Sequence, residues 1–465
     1  MPPSGTTPLA VVSNRGPLSF VRDADGELRA TRGSGGMIAV IGPGAAQHDA
    51  LWLATAITEA DREATAAGEV SAAGFRVRSV HIDPVQFRQY YDVIANQTLW
   101  FLHHGLWDLP RRPRLDRHWW AAWEGFVAVN HLFAAAVAAE MAPGGTVLIQ
   151  DYQLSLVGAE LARLRPDVAS AAFLHIPFCP PSDLQILPDA VVDTLLRGLA
   201  GAGAVGFHSP RWAAAFEACC RERGVTLPEV FVSPAAADGQ GLAATAASEE
   251  TDRELDRLEA YLGDRHFIVR TDRIELSKNL LRGFYAFDEL LEREVRFRGR
   301  VVFGAFVYPS RNDLAEYLGY RHEVEAVVRA INAKWSDGDW TPILLETSDN
   351  YPRAVAALRR YDVLMVNPIR DGLNLVAKEG PLVNQRDGVL VLSPGAGAWD
   401  ELGEHAVEAH PFDIVATARA LATALELPGD ERAARATALR KVVTARTPED
   451  WFADSLTAAR VPDRA

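Results

Sequence analysis

Two cations, Arg273 and Lys278, stand five residues apart in Thr271-Asp272-Arg273-Ile274-Glu275-Leu276-Ser277-Lys278-Asn279, directly after an apolar run at 267–270. Across a strand-to-helix turn this spacing lets both point at one ligand while helix N–H groups assist. A diphosphate leaving group requires such a pair, because its charge grows as the bond to a sugar breaks. Read alone, two solvated surface cations fit the spacing equally well. The segment Asn367-Pro368-Ile369-Arg370-Asp371-Gly372-Leu373-Asn374-Leu375-Val376-Ala377-Lys378-Glu379 puts Asp371 on a loop after a buried strand and frees the backbone at Gly372. A helix then opens, with Glu379 about two turns further in. Carboxylates at such places hold neutral sugar hydroxyls, and a helix N-terminus offers N–H groups to phosphate. Weaker signals lie upstream. Gly33-Ser34-Gly35-Gly36-Met37, after Ser13-Asn14-Arg15-Gly16-Pro17, suits a phosphate approached without a Cβ in the way, but read alone it suits a surface turn better. Asp151 in Gln150-Asp151-Tyr152-Gln153 and His175 in His175-Ile176-Pro177-Phe178 each end an apolar run, where a helix cap or a satisfied core residue is commoner than a catalyst.

These segments need a scaffold that brings strand ends together. Short apolar runs without alternation recur at 9–13, 147–150, 172–175, 267–270, 301–304, 363–366 and 389–392, and they suit strands buried on both faces of parallel sheets. Helical patterns lie between them. At 313–331, Leu314, Leu318, Val324, Val328 and Ile331 recur on one face. Alternation of strand and helix predicts an α/β fold with right-handed crossovers. The stretch 234–250, rich in Ala, Gly, Asp and Ser and without period, is the domain boundary. The prediction is two Rossmann-like domains facing each other across a cleft, at 1–235 and 236–449, with a tail at 450–465 that can return as a helix to the first. Ligands of such sheets bind beyond the carboxyl ends of the strands, where the polar segments above all lie.

A length of 465 residues exceeds one ordinary core, and 48% apolar with 23% charged residues is a globular profile. The net charge of −14 argues against nucleic acid as a partner. No run approaches the roughly 18 apolar residues of a membrane span, and Met1–Thr7 carries no export signal. Cys179, Cys219 and Cys220 lack metal-ligand spacing and fit buried thiols. The expected location is the cytoplasm, away from membranes.

In the order and spacing of its motifs the chain resembles the trehalose-6-phosphate synthase family, retaining glycosyltransferases of GT-B type with the active site in the inter-domain cleft. The resemblance runs over about 9–413. Residues 273–278 match the family's Arg-Leu-Asp-Tyr-Ser-Lys, and 370–379 match Arg-Asp-Gly-Met-Asn-Leu-Val-Ala-Lys-Glu with one change, Leu373. Residues 175–178 match His-Ile-Pro-Phe, while 388–392 and 396–398 resemble Gly-Val-Leu-Val-Leu and Ala-Gly-Ala. The resemblance implies transfer of glucose from GDP-glucose or UDP-glucose to glucose 6-phosphate, with no metal and no cofactor beyond the nucleotide sugar. It gives the donor diphosphate to Arg273 and Lys278, aided by Gly36 and the backbone at Gly372, Leu373 and Asn374. Asp371 would bind hydroxyls of the transferred glucose, His175 its outer hydroxyl and Glu379 the ribose. Arg15, Tyr91, Trp100 and Arg311 would bind the acceptor, the two guanidiniums gripping its phosphate. Assembly into a homo-oligomer is left open.

Three departures stand out. The family's His-Asp-Tyr-His is Gln150-Asp151-Tyr152-Gln153, so Asp151 keeps its place while both imidazoles go; Leu-Asp-Tyr inside the phosphate motif is Ile274-Glu275-Leu276. Where many relatives have Asn-Gln-His-Phe-Asp, this chain has Glu346-Thr347-Ser348-Asp349-Asn350. A carboxylate accepts both the ring N–H and the amine of guanine, whereas uracil offers one N–H between carbonyls, so Asp349 or Glu346 tilts the donor toward GDP-glucose. Rival readings are a cyclitol-joining relative, a transferase making another phosphorylated glucoside such as glucosylglycerol phosphate, and a silent sugar-phosphate sensor. The intact Gly35-Gly36 and 374–379 speak against the first, and the retained Arg273, Lys278, Asp371 and Glu379 speak against the last.

Overall fold

A computed structural model describes residues 6–459 apart from 24, 34 and 312–313. Ser34 of the Gly-rich stretch, Asp313 of the expected helix and residues 460–465 of the tail lie outside the described residues. The chain divides into two compact units, residues 1–235 with 448–465 and residues 236–447.

The first unit carries β1 (Thr7–Val12), β2 (Leu18–Arg22), β3 (Leu28–Arg32), β4 (Leu51–Thr55), β5 (Val70–Ala72), β6 (Phe75–Val80), β7 (Met141–Gln150), β8 (Ala169–Leu174), β9 (Ala204–Phe207) and β10 (Glu229–Val232). Eight form one sheet in the order β10-β9-β8-β7-β1-β4-β6-β5, parallel except for the β5–β6 pair, and β2 and β3 make a separate hairpin. The apolar runs at 9–13, 147–150 and 172–175 fall in β1, β7 and β8, or end one residue past them. β4 and β9 were not legible: Leu-Trp-Leu-Ala-Thr and Ala-Val-Gly-Phe are short and mixed, and their parallel pairing with β1 and β8 makes them strands. Every residue of both is buried.

The helix Arg117–Glu140 is long and apolar enough to cross a membrane by length and composition alone, although Glu124, Asn130 and His131 interrupt its apolar residues. Half of its most apolar window is buried inside the protein. Trp119, Trp123 and Phe126 stack along its inner face, which is what the apolar residues serve here. The helix Pro448–Ala459 belongs to this unit and buries Trp451 and Phe452. Phe452 lies against Gly44, where a Cβ would come within 2.3 Å of its ring, so only glycine admits this contact.

The second unit carries β11 (His266–Ile274), β12 (Val301–Pro309), β13 (Ile343–Glu346), β14 (Val363–Val366), β15 (Val389–Leu392) and β16 (Val407–Glu408), all parallel in the order β13-β12-β11-β14-β15-β16. Each unit is therefore α/β around a mainly parallel sheet. The helix expected at 313–331 runs Ala315–Trp335, and its buried face is Tyr317, Tyr320, Val324, Val328 and Ile331. Leu318 is 41% exposed, because the two tyrosines take the inward positions that an apolar-only reading gave to leucine.

Candidate active site

In the first unit the chain leaves β1 through a tightly bonded turn. Ser13 Oγ donates to the Arg15 carbonyl at 2.6 Å and accepts from Trp52 Nε1 at 2.8 Å, while Thr55 Oγ1 donates to Asn14 Oδ1 at 3.2 Å. This fixes the turn while Arg15 itself stays exposed. Gly36 opens the helix Gly36–Gln47, which has no side-chain cap. Tyr91 and Trp100 both lie in a π-helix, Arg88–Trp100. In an α-helix nine residues make about two and a half turns and would face opposite ways. The wider i→i+5 turn brings that separation to about two full turns, on one side. Tyr152 Oη ties this segment to the end of β7 by donating to Asn96 Oδ1 at 3.0 Å.

Asp151 follows β7 with a φ of 72°, a left-handed conformation that non-glycine residues adopt at a cost of about 1–3 kcal/mol. Its Oδ1 accepts the His175 backbone N–H at 3.2 Å, so the ends of β7 and β8 are locked together. The His175 ring joins a relay: Nδ1 lies 3.1 Å from His208 Nε2, and Nε2 lies 2.9 Å from Gln150 Oε1. Since the Ala235 N–H donates to His208 Nδ1 at 3.3 Å, His208 carries its proton on Nε2. His175 then accepts at Nδ1 and donates from Nε2 to Gln150. Burial pushes its pKa down to about 3, so the ring is neutral. Gln150 thus takes the proton-bearing nitrogen of the ring.

In the second unit, Arg273, Lys278, Asp371 and Arg311 cluster at the carboxyl ends of β11, β12 and β14. Lys278 Nζ donates to Asp371 Oδ2 at 2.6 Å and lies 3.9 Å from Asp272 Oδ1. Asp272 is held by the fully buried Arg270 at 2.8 and 3.2 Å. Burial works to lower the Lys278 pKa, yet the carboxylates of Asp371 and Asp272 leave it raised. Glu275, also fully buried, lies 3.1 Å from Arg273 and 2.7 Å from Arg311. Four cations (Arg270, Arg273, Lys278, Arg311) thus face three carboxylates (Asp272, Glu275, Asp371), which leaves a surplus positive charge for an anion. The helix Leu280–Arg293 does not supply the expected free N–H groups. Leu280 and Leu281 donate to the Tyr320 hydroxyl at 2.9 and 3.5 Å, so the anion-holding part falls to the side chains.

The loop at 370–374 is laid against 395–398: Asp371 N donates to the Gly395 carbonyl, Gly397 N to that of Asp371 and Ala398 N to that of Leu373. A Cβ on Gly397 would lie 2.0 Å from the Gly372 oxygen, which explains the glycine. Asn374 has a φ of 80° and donates to Asp371 Oδ2 at 3.2 Å. Among the described residues the N–H groups of Leu373 and Asn374 have no protein acceptor, which leaves them for a ligand. Glu379 lies in the helix Val376–Val383, and burial pushes its pKa up to about 7. At the end of β13, Glu346 is already engaged, accepting from Ser348 Oγ at 2.7 Å and lying 3.3 Å from Arg353. Asp349 is exposed.

Arg15, Gly36, Tyr91, Trp100, Asp151 and His175 therefore belong to the first unit, while Arg273, Lys278, Arg311, Asp349, Asp371, Gly372, Leu373, Asn374 and Glu379 belong to the second. The sequence reading did not single out His208, Trp451 or the Arg270–Asp272 pair. The last had a signal: two charges two apart inside an apolar strand share a face and must neutralise each other.

The family model of glycosyltransferase family 20 matches residues 7–460. The chain is 32% identical over 484 residues to trehalose-6-phosphate synthase of Mycolicibacterium smegmatis, covering 98% of this chain and 93% of the relative. A solved E. coli structure bound with UDP-2-fluoro glucose superposes with a TM-score of 0.85 at 26% identity, over 98% of this chain and 99% of that one. An alpha,alpha-trehalose-phosphate synthase (UDP-forming) from Burkholderia xenovorans in complex with glucose-6-phosphate gives 0.84 at 26% identity, over 97% and 99%.

Proposed function

Because the chain belongs to glycosyltransferase family 20, we propose that it transfers glucose from a nucleoside diphosphate to glucose 6-phosphate, forming alpha,alpha-trehalose 6-phosphate. The observation that carries this reading is the Lys278–Asp371 pair beside Arg273. It sets a sugar-binding carboxylate next to the cations that a departing diphosphate needs. Arg273 and Lys278 hold the diphosphate with the N–H groups of Leu373 and Asn374 and the helix start at Gly36. Asp371 holds hydroxyls of the glucose, and Asp151 and His175 complete its surroundings. Glu379 takes the ribose, and Arg15, Tyr91, Trp100 and Arg311 take the sugar phosphate.

The acceptor hydroxyl attacks from the face the leaving group departs, so the α configuration is kept. The bond from C1 to the diphosphate oxygen breaks, the bond from C1 to the acceptor oxygen forms, and the departing phosphate takes the acceptor's proton. Arg273 and Lys278 stabilise the charge on that phosphate. The reading requires no metal and sets the reaction in the cytoplasm.

For the donor base we propose guanine, read by the exposed Asp349 at the end of β13. Uracil is the second reading, favoured by the UDP compound bound to the E. coli relative. Turnover of GDP-glucose and UDP-glucose with glucose 6-phosphate, followed as nucleoside diphosphate release, tests both parts. The account requires release that depends on the acceptor. Release with neither donor overturns the function, and faster UDP-glucose turnover overturns the base assignment.

A further inference from the structure

Glu275 sits between the two substrate-binding arginines of the second unit. β11 pairs with β12 in the register Arg273↔Tyr308 and Ile274↔Pro309, so Glu275 emerges from β11 where Ser310 and Arg311 leave β12. Its side chain is fully buried. Oε1 is shared by Arg311 Nη1 at 2.7 Å, Arg273 Nη1 at 3.1 Å and Ser310 Oγ at 3.0 Å, whereas Oε2 is buried without a partner. Arg311 has a φ of 48°, and its Nη1 also donates to the Tyr317 hydroxyl at 3.0 Å, with the guanidinium 5.3 Å from the centre of that ring. The left-handed backbone is retained where a side chain must be aimed. The two guanidiniums hold the carboxyl down to about 2 against the effect of burial, so Glu275 is a permanent anion.

We propose that Glu275 is a positioning residue: its buried carboxylate is the shared counterion that fixes Arg273, which takes the donor diphosphate, relative to Arg311, which takes the acceptor phosphate. The inference rests on the function proposed above for these two arginines. One carboxylate oxygen holding both guanidiniums makes their separation a property of the fold rather than of the ligands. It also competes with each incoming phosphate for its arginine. The carboxylate therefore weakens ground-state anion binding while it aligns the reacting groups.

Glu275→Gln keeps the shape and removes the charge, with Glu275→Asp, the residue of the family motif, as the conservative control. Titration calorimetry with GDP and UDP alone, and kcat with glucose 6-phosphate, are measured on the full chain. In Glu275→Gln the nucleoside diphosphate is expected to bind about threefold or more tighter while kcat falls about tenfold or more; Glu275→Asp returns kcat to within about threefold. This split is not produced by general damage, which weakens binding and turnover together. An unchanged kcat, or weaker binding that tracks the loss of kcat, overturns the inference. Arg311→Met decides the matter where the glutamine variant does not fold. It leaves Arg273 as the one guanidinium on Glu275, so GDP and UDP alone should bind about threefold or more weaker although Arg311 is assigned to the acceptor. An unchanged affinity there overturns the shared counterion. The binding measurements need no turnover, so a wild-type enzyme that binds nucleotide yet transfers no glucose would overturn the proposed function and still test Glu275.

Discussion

Replacing Glu379 by glutamine is expected to make the protein more stable at alkaline pH and a poorer binder of its donor. Burial lifts this carboxyl from the ordinary 4.5 to about 7. A group whose folded pKa is raised favours folding fully below its unfolded pKa, and that contribution is lost as pH rises through the folded value. The window is therefore about pH 4.5 to 7. Across it the wild type forfeits at most about 3–4 kcal/mol, at about 1.36 kcal/mol for each unit of pKa, whereas glutamine forfeits nothing. Guanidinium denaturation of both proteins at pH 4 and pH 8 should show the variant gaining about 1–3 kcal/mol on the wild type between the two. Ribose hydroxyls donating to a charged carboxylate contribute about 1.5–3 kcal/mol, so GDP or UDP should bind the variant roughly ten- to a hundredfold weaker at pH 8. In the wild type that affinity should fall as pH drops below 7, and the fall should be absent from the variant. A variant with no relative gain at pH 8, or with unchanged nucleotide affinity, would refute the reasoning.

Lys278→Met removes the counterion of Asp371 while Arg270 still holds Asp272, and calorimetry should show a loss of about 3–5 kcal/mol together with a kcat lowered about 10²–10³-fold. Adding Asp371→Asn should recover part of the stability and none of the turnover. Asp349→Asn should reduce the GDP over UDP preference measured as a ratio of kcat/KM, while Glu346→Gln, whose carboxylate Ser348 and Arg353 already hold, should leave it within about twofold. The neutral His175 takes a proton near 3 when folded and near 6.5 when unfolded. Its contribution to stability is present above 6.5 and lost as pH falls toward 3. Its ring NMR shifts should stay constant from pH 5 to 8, and a titration near 6.5 would contradict the relay.

Much of this site is legible in the chain because its chemistry is local. Arg273 and Lys278 are joined by one turn, and 370–379 contain the carboxylate, the left-handed Asn374 and Glu379 in a single stretch. The strands ending in these segments were readable where valine and leucine run together, as in β14 and β15. What escaped depends on distant parts of the chain. His208 matters through His175, which lies 33 residues earlier, and Trp451 reaches the Phe173 and His175 rings from the far end of the chain. The free helix start expected after Lys278 failed for the same reason, because Tyr320 caps it from another helix. No local pattern announces the π-helix, although it decides how Tyr91 and Trp100 are presented.

The most direct test of glucosyl transfer with retention is the structure of the product. Proton NMR of the disaccharide phosphate formed from glucose 6-phosphate and the faster of the two nucleotide sugars reads both anomeric couplings. The account predicts two small α couplings, the signature of an alpha,alpha linkage. A large β coupling at the transferred glucose, or glucose released to water with no disaccharide phosphate, would contradict it.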